Sequence, residues 1–181
     1  MDKLFFYDTE LGRLGIRDNS QNITNLYFES ENIYRDDVII EESDLTKLAY
    51  TQIREYLDGQ RKVFDLPLHP NGTEFQIKVW KALTEIPYGE TRSYKNIAIS
   101  IGNEKACRAV GMANNKNPIP IIIPCHRVIG ANKKLVGYAG GLDLKERLLD
   151  LEGISIQKNK DRKSTRLNSS HFLLSRMPSS A

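Results

Sequence analysis

The sequence is short of several features, and each shortage excludes a class of protein. It contains only two cysteines, Cys107 and Cys125, among its 181 residues, and these alone cannot build a disulfide framework or a zinc knuckle. No apolar run is long enough to cross a bilayer. The N-terminus carries an acid at position 2 and no small-residue cleavage site, so we infer no secretion signal. We therefore expect a cytoplasmic protein without a membrane segment, a metal or another cofactor.

The formal net charge of +3 comes from the C-terminal segment. Residues 161–171 read DRKSTRLNSSH, which looks like the translation of a common sequencing-adapter oligonucleotide. We treat residues 161–181 as an artefact of this kind, and we expect 157–181 to be disordered. The remaining chain is neutral, but residues 1–66 are acidic and residues 102–134 are basic. A local basic surface can bind phosphates, although an ordinary solvated loop explains the charge equally well.

The N-terminal third predicts a small α/β domain. The runs KLFFY, RLGI and ITNLYF alternate with turn clusters, which favours a small antiparallel sheet. Apolar residues then recur at helical spacing from Leu45 to Leu57, and the helix is expected to stop at Gly59. An extended connection with two prolines follows. We therefore assign residues 1–66 to an N-terminal domain and 67–72 to a linker.

Residues 73–156 predict a C-terminal domain that is mostly helical. Thr73 begins a T-x-x-Q capping box ahead of an apolar helical face. Ser93 caps a second predicted helix, and Asn103 can cap a third helix over residues 104–114. The second and third helices are separated by a single glycine, which suggests a helix-turn-helix. By itself this signal is weak, because many helical hairpins share it.

Two further elements complete the predicted fold. Residues 119–123 can form a short buried strand, which the proline at position 120 makes irregular or places at an edge. Asp143 and Glu146 start a last helix that ends at Gly153. The predicted class is α+β, with an antiparallel sheet and a helix in the first domain and a helix-turn-helix in the second.

The segment NPIPIIIPCHRVIG, residues 117–130, carries the candidate chemistry. A lone buried cysteine is usually a small apolar residue, and we keep that interpretation for Cys107. Cys125, however, follows a proline that fixes the local chain. It precedes His126 and Arg127, and proton-accepting or positive neighbours favour the thiolate. We therefore interpret Cys125 as a nucleophile, with a third residue or a water needed to link it to the histidine.

The same residues carry a family resemblance. The segment RAVGMANNKNPIPIIIPCHRVIG, with GYAGGLDLKERLLDLEG after it and GTEFQIKVWKALTEIPYGETRSYKNIA before it, closely resembles the O6-alkylguanine-DNA alkyltransferases. These are also called methylated-DNA–protein-cysteine methyltransferases. The resemblance is strong over residues 60–155, while the N-terminal part fits only in length and character. It implies a monomeric repair protein that acts once on double-stranded DNA containing O6-alkylguanine.

The resemblance also implies specific roles. The nucleophile is Cys125, activated through water by His126 and Glu152, and its sulfur is expected to face the DNA groove. Tyr94 promotes rotation of the target nucleotide and donates to the base, and Asn117 braces the turn before the active site. The alkyl group comes from guanine O6 and, less readily, from thymine O4.

The DNA-binding and pocket residues follow from the same resemblance. The second helix of the pair enters the minor groove, and Arg108 fills the space left by the flipped nucleotide. The residues expected to contact DNA are Arg108, Tyr94, Ala109, Gly111, Ala113 and Asn114. The residues expected to form the guanine pocket are Val136, Tyr138, Ala139 and Gly140. Many relatives have serine where this chain has Ala139, which bears on substrate preference.

Two other functions fit the same sequence. A helix-turn-helix protein could bind alkylated bases and mark them without repair. A cysteine hydrolase could use the same thiol for many turnovers on an ester or a peptide. The fate of the alkyl group separates these functions, because only a transferase keeps it on Cys125.

Overall fold

An N-terminal sheet with its helix and a group of C-terminal helices make up the computed structural model. The structure describes residues 1–31, 33, 36–130, 137–138 and 140–156. The predicted tail at 157–181, including the segment that we treat as an artefact, lies outside the described residues. The α+β class is confirmed. Among the described residues, no helix is both long and apolar enough to cross a membrane.

The N-terminal sheet contains the three predicted strands and one that the sequence did not reveal. Strands β1 (Asp2–Thr9), β2 (Gly12–Asp18) and β3 (Ile23–Phe28) pair antiparallel in chain order. Strand β4 (Val38–Ile40) pairs parallel with β1 at the other edge of the sheet. This strand was missed because its apolar run is only three residues long and its partner lies far back in the chain.

Helix α1 (Asp44–Leu57) covers one face of the sheet and confirms the predicted helix. It begins with a capping box, in which the side chains of Ser43 and Thr46 accept from each other's backbone N–H. Its buried face includes Ile53 and Tyr56, both fully inaccessible. This face is directed towards the sheet and towards the C-terminal part.

The C-terminal part contains the four predicted helices. They are α2 (Glu74–Thr84), α3 (Tyr94–Ser100), α4 (Cys107–Asn115) and α5 (Leu142–Leu151). The capping box at Thr73 and the cap at Ser93 are confirmed, and the structure extends the latter to a capping box with Asn96. Helix α4 begins three residues later than predicted, because Ala106 N donates to Asn103 O in a turn and no side chain caps the helix. The turn after α3 includes Gly102 with φ of 80°.

The predicted strand at residues 119–123 is wrong, because this segment is a buried turn. Ile123 N donates to Ile119 O at 2.9 Å, and Ile121 adopts a φ of 73°. A β-branched residue in the left-handed region is strained by about 1–3 kcal/mol. Ile121 is fully buried, so the surrounding core must hold it there. The turn leads directly into the Pro124–Cys125 segment.

Backbone and core contacts join the two parts of the chain. Leu26 N, in β3, donates to Pro118 O at 2.8 Å. A single hydrophobic core contains residues of the sheet, of α1 and of the C-terminal helices. A short parallel pair, β5 (Arg92–Ser93) with β6 (Val128–Ile129), ties the start of α3 to the segment after Cys125. The domain limits that we assigned from sequence remain a prediction.

Candidate active site

Cys125 opens a single turn of 3-10 helix, Cys125–Arg127, immediately after Pro124. Its N–H donates to Ile123 O at 2.8 Å, which anchors the residue to the buried turn. Only 3% of Cys125 is exposed. The sulfur is therefore not open on the protein surface, and that it faces the DNA groove stays a prediction. To reach the sulfur of Cys125, a substrate alkyl group has to pass below the protein surface.

Asn117 holds the turn that presents Cys125. Its side-chain amide donates to Ile123 O at 2.8 Å, and its side-chain oxygen accepts from Ile119 N at 2.9 Å. The residue is buried, so these two hydrogen bonds satisfy groups that water cannot reach. The local geometry is that of a brace across the strained segment.

The thiol of Cys125 is protonated at neutral pH. Burial raises its pKa to about 11, while a hydrogen bond from Asn117 and the charge of Lys145 act in the opposite direction. A thiol with this pKa is a weak nucleophile until its proton is removed. The site therefore needs a base close to Cys125.

His126 has the properties of that base. It is fully buried, and its Nε2 lies 2.6 Å from Glu152 Oε2. Burial lowers the pKa of His126, although Glu152 opposes this effect, so the imidazole is neutral at pH 7. The bond to the carboxylate assigns the proton to Nε2 and leaves Nδ1 as an acceptor. Nδ1 is buried and has no partner among the described residues.

Glu152, the C-cap residue of α5, is the centre of the polar cluster. Arg127 Nε donates to its Oε1 at 2.8 Å, and Gly89 N donates to the same oxygen at 3.0 Å. Burial acts to raise the pKa of Glu152, but the hydrogen bonds from His126, Arg127 and Gly89 outweigh it and lower the pKa to about 2. Arg127 also donates to Ile86 O at 2.7 Å, which ties the site to the segment that follows α2.

The structure adds two residues that sequence reasoning missed. Tyr56 O–H donates to Glu152 Oε2 at 2.6 Å, and Lys145 Nζ donates to Val128 O at 2.7 Å. Burial lowers the pKa of Lys145 to about 8. Helical spacing contained a signal for it, since Lys145 and Glu152 lie seven residues apart on one face of α5. Tyr56 occupies a core position of α1, three residues after Ile53.

The predicted pocket residues are only partly described. Val136 and Ala139 lie outside the described residues. Tyr138 packs against Phe28 with ring centroids 5.8 Å apart, and its hydroxyl is buried without a partner among the described residues. An added Cβ at Gly140 would lie 2.4 Å from a methyl carbon of Leu144 and 3.2 Å from the ring of Phe28, so a larger residue here would have to displace these side chains.

The predicted DNA-contacting residues divide between two faces of α4. Arg108 and Ala109 are exposed, and Gly111 is half-buried beside the ring of Tyr94. Burial raises the pKa of Tyr94, and the charge of Cys125 adds to this effect. Ala113 and Asn114, by contrast, are each 2% exposed.

The buried side of α4 is tied to the core. Trp80 Nε1 donates to Ala113 O at 2.8 Å, and Asn114 Nδ2 lies 3.5 Å from Cys125 O. We therefore remove Ala113 and Asn114 from the candidate DNA surface. Among the residues that the structure describes, no three His, Cys, Asp or Glu side chains form a cluster suited to a metal ion.

The fold and the site define a two-part protein with a pair of helices, α3 and α4, and a buried cysteine whose neighbour in the chain, His126, is hydrogen-bonded to Glu152. Two family models match this chain. The ribonuclease-like domain of 6-O-methylguanine DNA methyltransferase matches residues 4–70. The DNA binding domain of the same family matches residues 74–154. The chain belongs to the 6-O-methylguanine DNA methyltransferase family.

Individual relatives agree with this assignment. The constitutive methylated-DNA–protein-cysteine methyltransferase of Bacillus subtilis is 46% identical over 157 residues, which are 83% of this chain and 95% of that protein. The Methanosarcina acetivorans protein of the same name is 62% identical over 114 residues, 63% of this chain and 73% of its own. The crystal structure of Mycobacterium tuberculosis OGT in complex with DNA matches with a TM-score of 0.78 and 45% identity, over 83% of this chain and 92% of that one.

Proposed function

We propose that this protein repairs DNA by moving an alkyl group from O6 of guanine, and from O4 of thymine, onto Cys125. The observation that carries the proposal concerns buried His126, the chain neighbour of buried Cys125: its Nε2 lies 2.6 Å from Glu152 Oε2, and its Nδ1 has no partner among the described residues. Related proteins named for methyl transfer from DNA to a cysteine support the reaction class.

The proposed reaction needs no second substrate. The sulfur of Cys125 forms a bond to the alkyl carbon while the bond from that carbon to guanine O6 breaks. The thiol proton passes to His126 Nδ1 through a bridging water. The displaced base leaves as an anion and takes up one proton from solvent, and the imidazolium later returns one proton to solvent, so His126 ends neutral. A thioether is left on the protein, so each molecule reacts once. General base catalysis of this kind contributes roughly 10²–10⁴-fold to the rate.

Glu152 supports the base in two ways. Its hydrogen bond to Nε2 fixes the orientation of the His126 ring, and its negative charge stabilises the imidazolium that forms when Nδ1 accepts the proton. Because the pKa of Glu152 is lowered to about 2, the carboxylate keeps this charge throughout the physiological range. Arg127 holds the carboxylate in place from the other side.

Helix α4 is the proposed DNA-reading element. Its exposed side carries Arg108 and Ala109, with Lys105 just before the helix, and cationic side chains are suited to phosphates. Small residues such as Ala109 and Gly111 allow the helix backbone to approach the groove wall closely. The target base is stacked inside the duplex, so it has to leave the stack before it can reach Cys125, which costs a few kcal/mol.

Tyr94 and Asn117 have supporting roles in the proposal. Tyr94 begins α3, and its ring lies beside Gly111 of α4. In the proposal its hydroxyl donates to the displaced base and stabilises the negative charge that develops there. Asn117 fixes the turn before Cys125, through its bonds to the Ile119 and Ile123 backbone. In the proposal, the basic surface around Arg108 binds the DNA, His126 accepts the thiol proton, and Asn117 holds the turn that carries Cys125.

Mass spectrometry of the intact protein tests the proposal directly. The chain is mixed with duplex DNA containing O6-methylguanine, and a stable gain of one methyl group on Cys125 is expected. Cys125→Ser should abolish the gain, and Cys107→Ser, a matched control at the other free thiol, should retain it. An unchanged mass in the presence of bound DNA would indicate a lesion-marking protein, and repeated turnover without an adduct would indicate a hydrolase.

A further inference from the structure

Two oxygens of Glu152 accept five hydrogen bonds from the described residues. Oε1 accepts from Arg127 Nε and Gly89 N, and Oε2 accepts from His126 Nε2, Arg127 Nη2 and Tyr56 O–H. Among these donors, Tyr56 is the one that comes from α1, in the N-terminal part of the chain. The catalytic carboxylate is therefore completed by a residue 96 positions away in sequence.

We propose that Tyr56 is a positioning residue for the proton relay: its phenol shares Glu152 Oε2 with His126 and keeps the imidazole neutral until the thiol proton arrives. This inference rests on the function proposed above. It assigns to the N-terminal part a direct effect on the reactivity of Cys125, in addition to its role in packing.

The geometry places the two donors side by side on one oxygen. Tyr56 O–H and His126 Nε2 each lie 2.6 Å from Oε2, and the phenol oxygen is 3.4 Å from Nε2. Both bonds are short, as expected for donors to a charged acceptor. A carboxylate oxygen that already accepts from a phenol attracts the imidazole proton less strongly, because part of its charge is compensated.

The phenol is held rigidly and remains a donor. Tyr56 is fully buried, with Phe64 tilted against it at 5.4 Å and Tyr88 edge-on at 6.2 Å between ring centroids. Burial raises the pKa of Tyr56 far above its usual value, and the charge of Glu152 adds to this effect. The hydroxyl therefore keeps its proton over the whole pH range in which the protein is folded.

Removing the hydroxyl has a predictable effect on His126. Several titratable or charged groups surround the imidazole and its carboxylate. They are Tyr56 of α1, Tyr88 of the turn after α2, Cys125 and Arg127 beside it, Tyr138, and Lys145 and Glu152 of α5. Arg127 and Lys145 both disfavour the imidazolium and are unchanged by the substitution. The loss of the phenol leaves more negative charge on Oε2, so the pKa of His126 rises.

The test compares Tyr56→Phe with Tyr50→Phe. Tyr50 lies on the same helix, but its ring stacks on Tyr7 at 4.2 Å, away from the relay. The first readout is the pKa of the His126 imidazole, measured by a pH titration that nitrogen NMR monitors on the full chain without DNA. The second readout is the pH profile of single-turnover methyl transfer from O6-methylguanine DNA.

In Tyr56→Phe we expect the His126 pKa and the acid limb of the transfer profile to move upward together, by about one pH unit. At a pH below that limb the transfer rate should then fall about tenfold, while it recovers at higher pH. In Tyr50→Phe neither quantity should move. Unchanged titration and profile in Tyr56→Phe would overturn the inference.

A second variant covers the case in which Tyr56→Phe does not fold. Site-specific 3-fluorotyrosine at position 56 keeps the ring and the hydroxyl but makes the hydroxyl a stronger donor, so the His126 pKa should fall. A rise or no change would overturn the inference. If the wild-type protein transfers no methyl group but the His126 titration moves as expected, the proposed function fails while the coupling between Tyr56 and His126 stands.

Discussion

Replacing Glu152 with glutamine tests the centre of the site. The substitution keeps the shape of the side chain but removes its charge, and it places an amide NH₂ group where a carboxylate oxygen accepts hydrogen bonds. Arg127 and His126, which both donate to this carboxylate, then lose its negative charge and one of its two acceptor atoms in a buried region. We expect a loss of folding stability and a loss of transfer rate from one change.

The size of the stability loss follows from two independent estimates. The pKa of Glu152 falls from 4.5 to about 2, and each pKa unit corresponds to about 1.4 kcal/mol. The folded state therefore favours the ionised carboxylate by about 3 kcal/mol. Breaking a buried ion pair by removing one partner costs about 3–5 kcal/mol. Against a total stability of about 5–15 kcal/mol, this effect is large and easily measured.

Urea denaturation, monitored by circular dichroism, measures the loss of folding stability in Glu152→Gln at pH 7. Repeating the measurement at lower pH tests whether the carboxylate charge causes that loss. A carboxylate whose folded pKa is depressed contributes stability above its unfolded pKa and loses it as the pH falls through its folded pKa. The contribution of Glu152 should therefore disappear between pH 4.5 and about 2. The stability difference between wild type and Glu152→Gln should shrink over the same interval.

A double-mutant cycle with Arg127→Met provides the control. Because each single change leaves a buried partner unsatisfied, the double variant should be less destabilised than the sum of the single variants predicts. A stability loss below about 1 kcal/mol for Glu152→Gln, in the range of an exposed ion pair, would refute the reasoning. So would additive effects of the two changes.

Three other predictions concern positions around the site. Gly72→Ala should destabilise the fold by about 1–3 kcal/mol in urea denaturation, because the new Cβ would lie 2.4 Å from the buried ring of Trp80. Wild-type folding stability should rise between pH 8 and 9.5. In the folded protein Lys145 has a pKa of about 8, below its ordinary value of 10.5, so it loses its proton at a lower pH than it does in the unfolded chain. Lys145→Met should abolish the rise. Arg108→Ala should weaken DNA binding in a salt titration, because it removes a cationic side chain from the proposed DNA surface. Its urea midpoint should stay that of wild type, because this side chain is exposed. An affinity equal to that of wild type at all salt concentrations would contradict the proposed DNA surface.

Elements with strong local signals could be predicted from the sequence. The capping box at Thr73 and the cap at Ser93 placed the starts of α2 and α3, because a cap satisfies backbone groups that have no other partner. The short β-type runs separated by turn clusters placed β1, β2 and β3, because apolar strand residues pack into the core and turn residues interrupt them. The candidate base beside Cys125 was also local, because His126 is its neighbour in the chain.

Features that depend on distant partners could not be predicted. Strand β4 exists only because β1 offers it an edge, and its own three residues carry too little pattern. The turn at residues 119–123 is a second case, because its apolar sequence is typical of a strand. The core holds Ile121 in the left-handed region, and only tertiary packing can impose such a conformation. Tyr56 is a third case, because its partner Glu152 lies 96 residues away.

Burial has opposite effects on the pKa values of the thiol and of its base, and the combination suits a reaction that occurs once. It raises the pKa of Cys125 to about 11 and lowers that of His126, so both groups are uncharged at neutral pH. A thiol in this state is a poor nucleophile for electrophiles that reach the free protein. In the proposed mechanism, charge develops only when the alkyl group is in place and the thiol proton moves to Nδ1, at which moment the ionised Glu152 stabilises the imidazolium. On that mechanism, the buried and uncharged thiol reacts with the bound base rather than with electrophiles in solution.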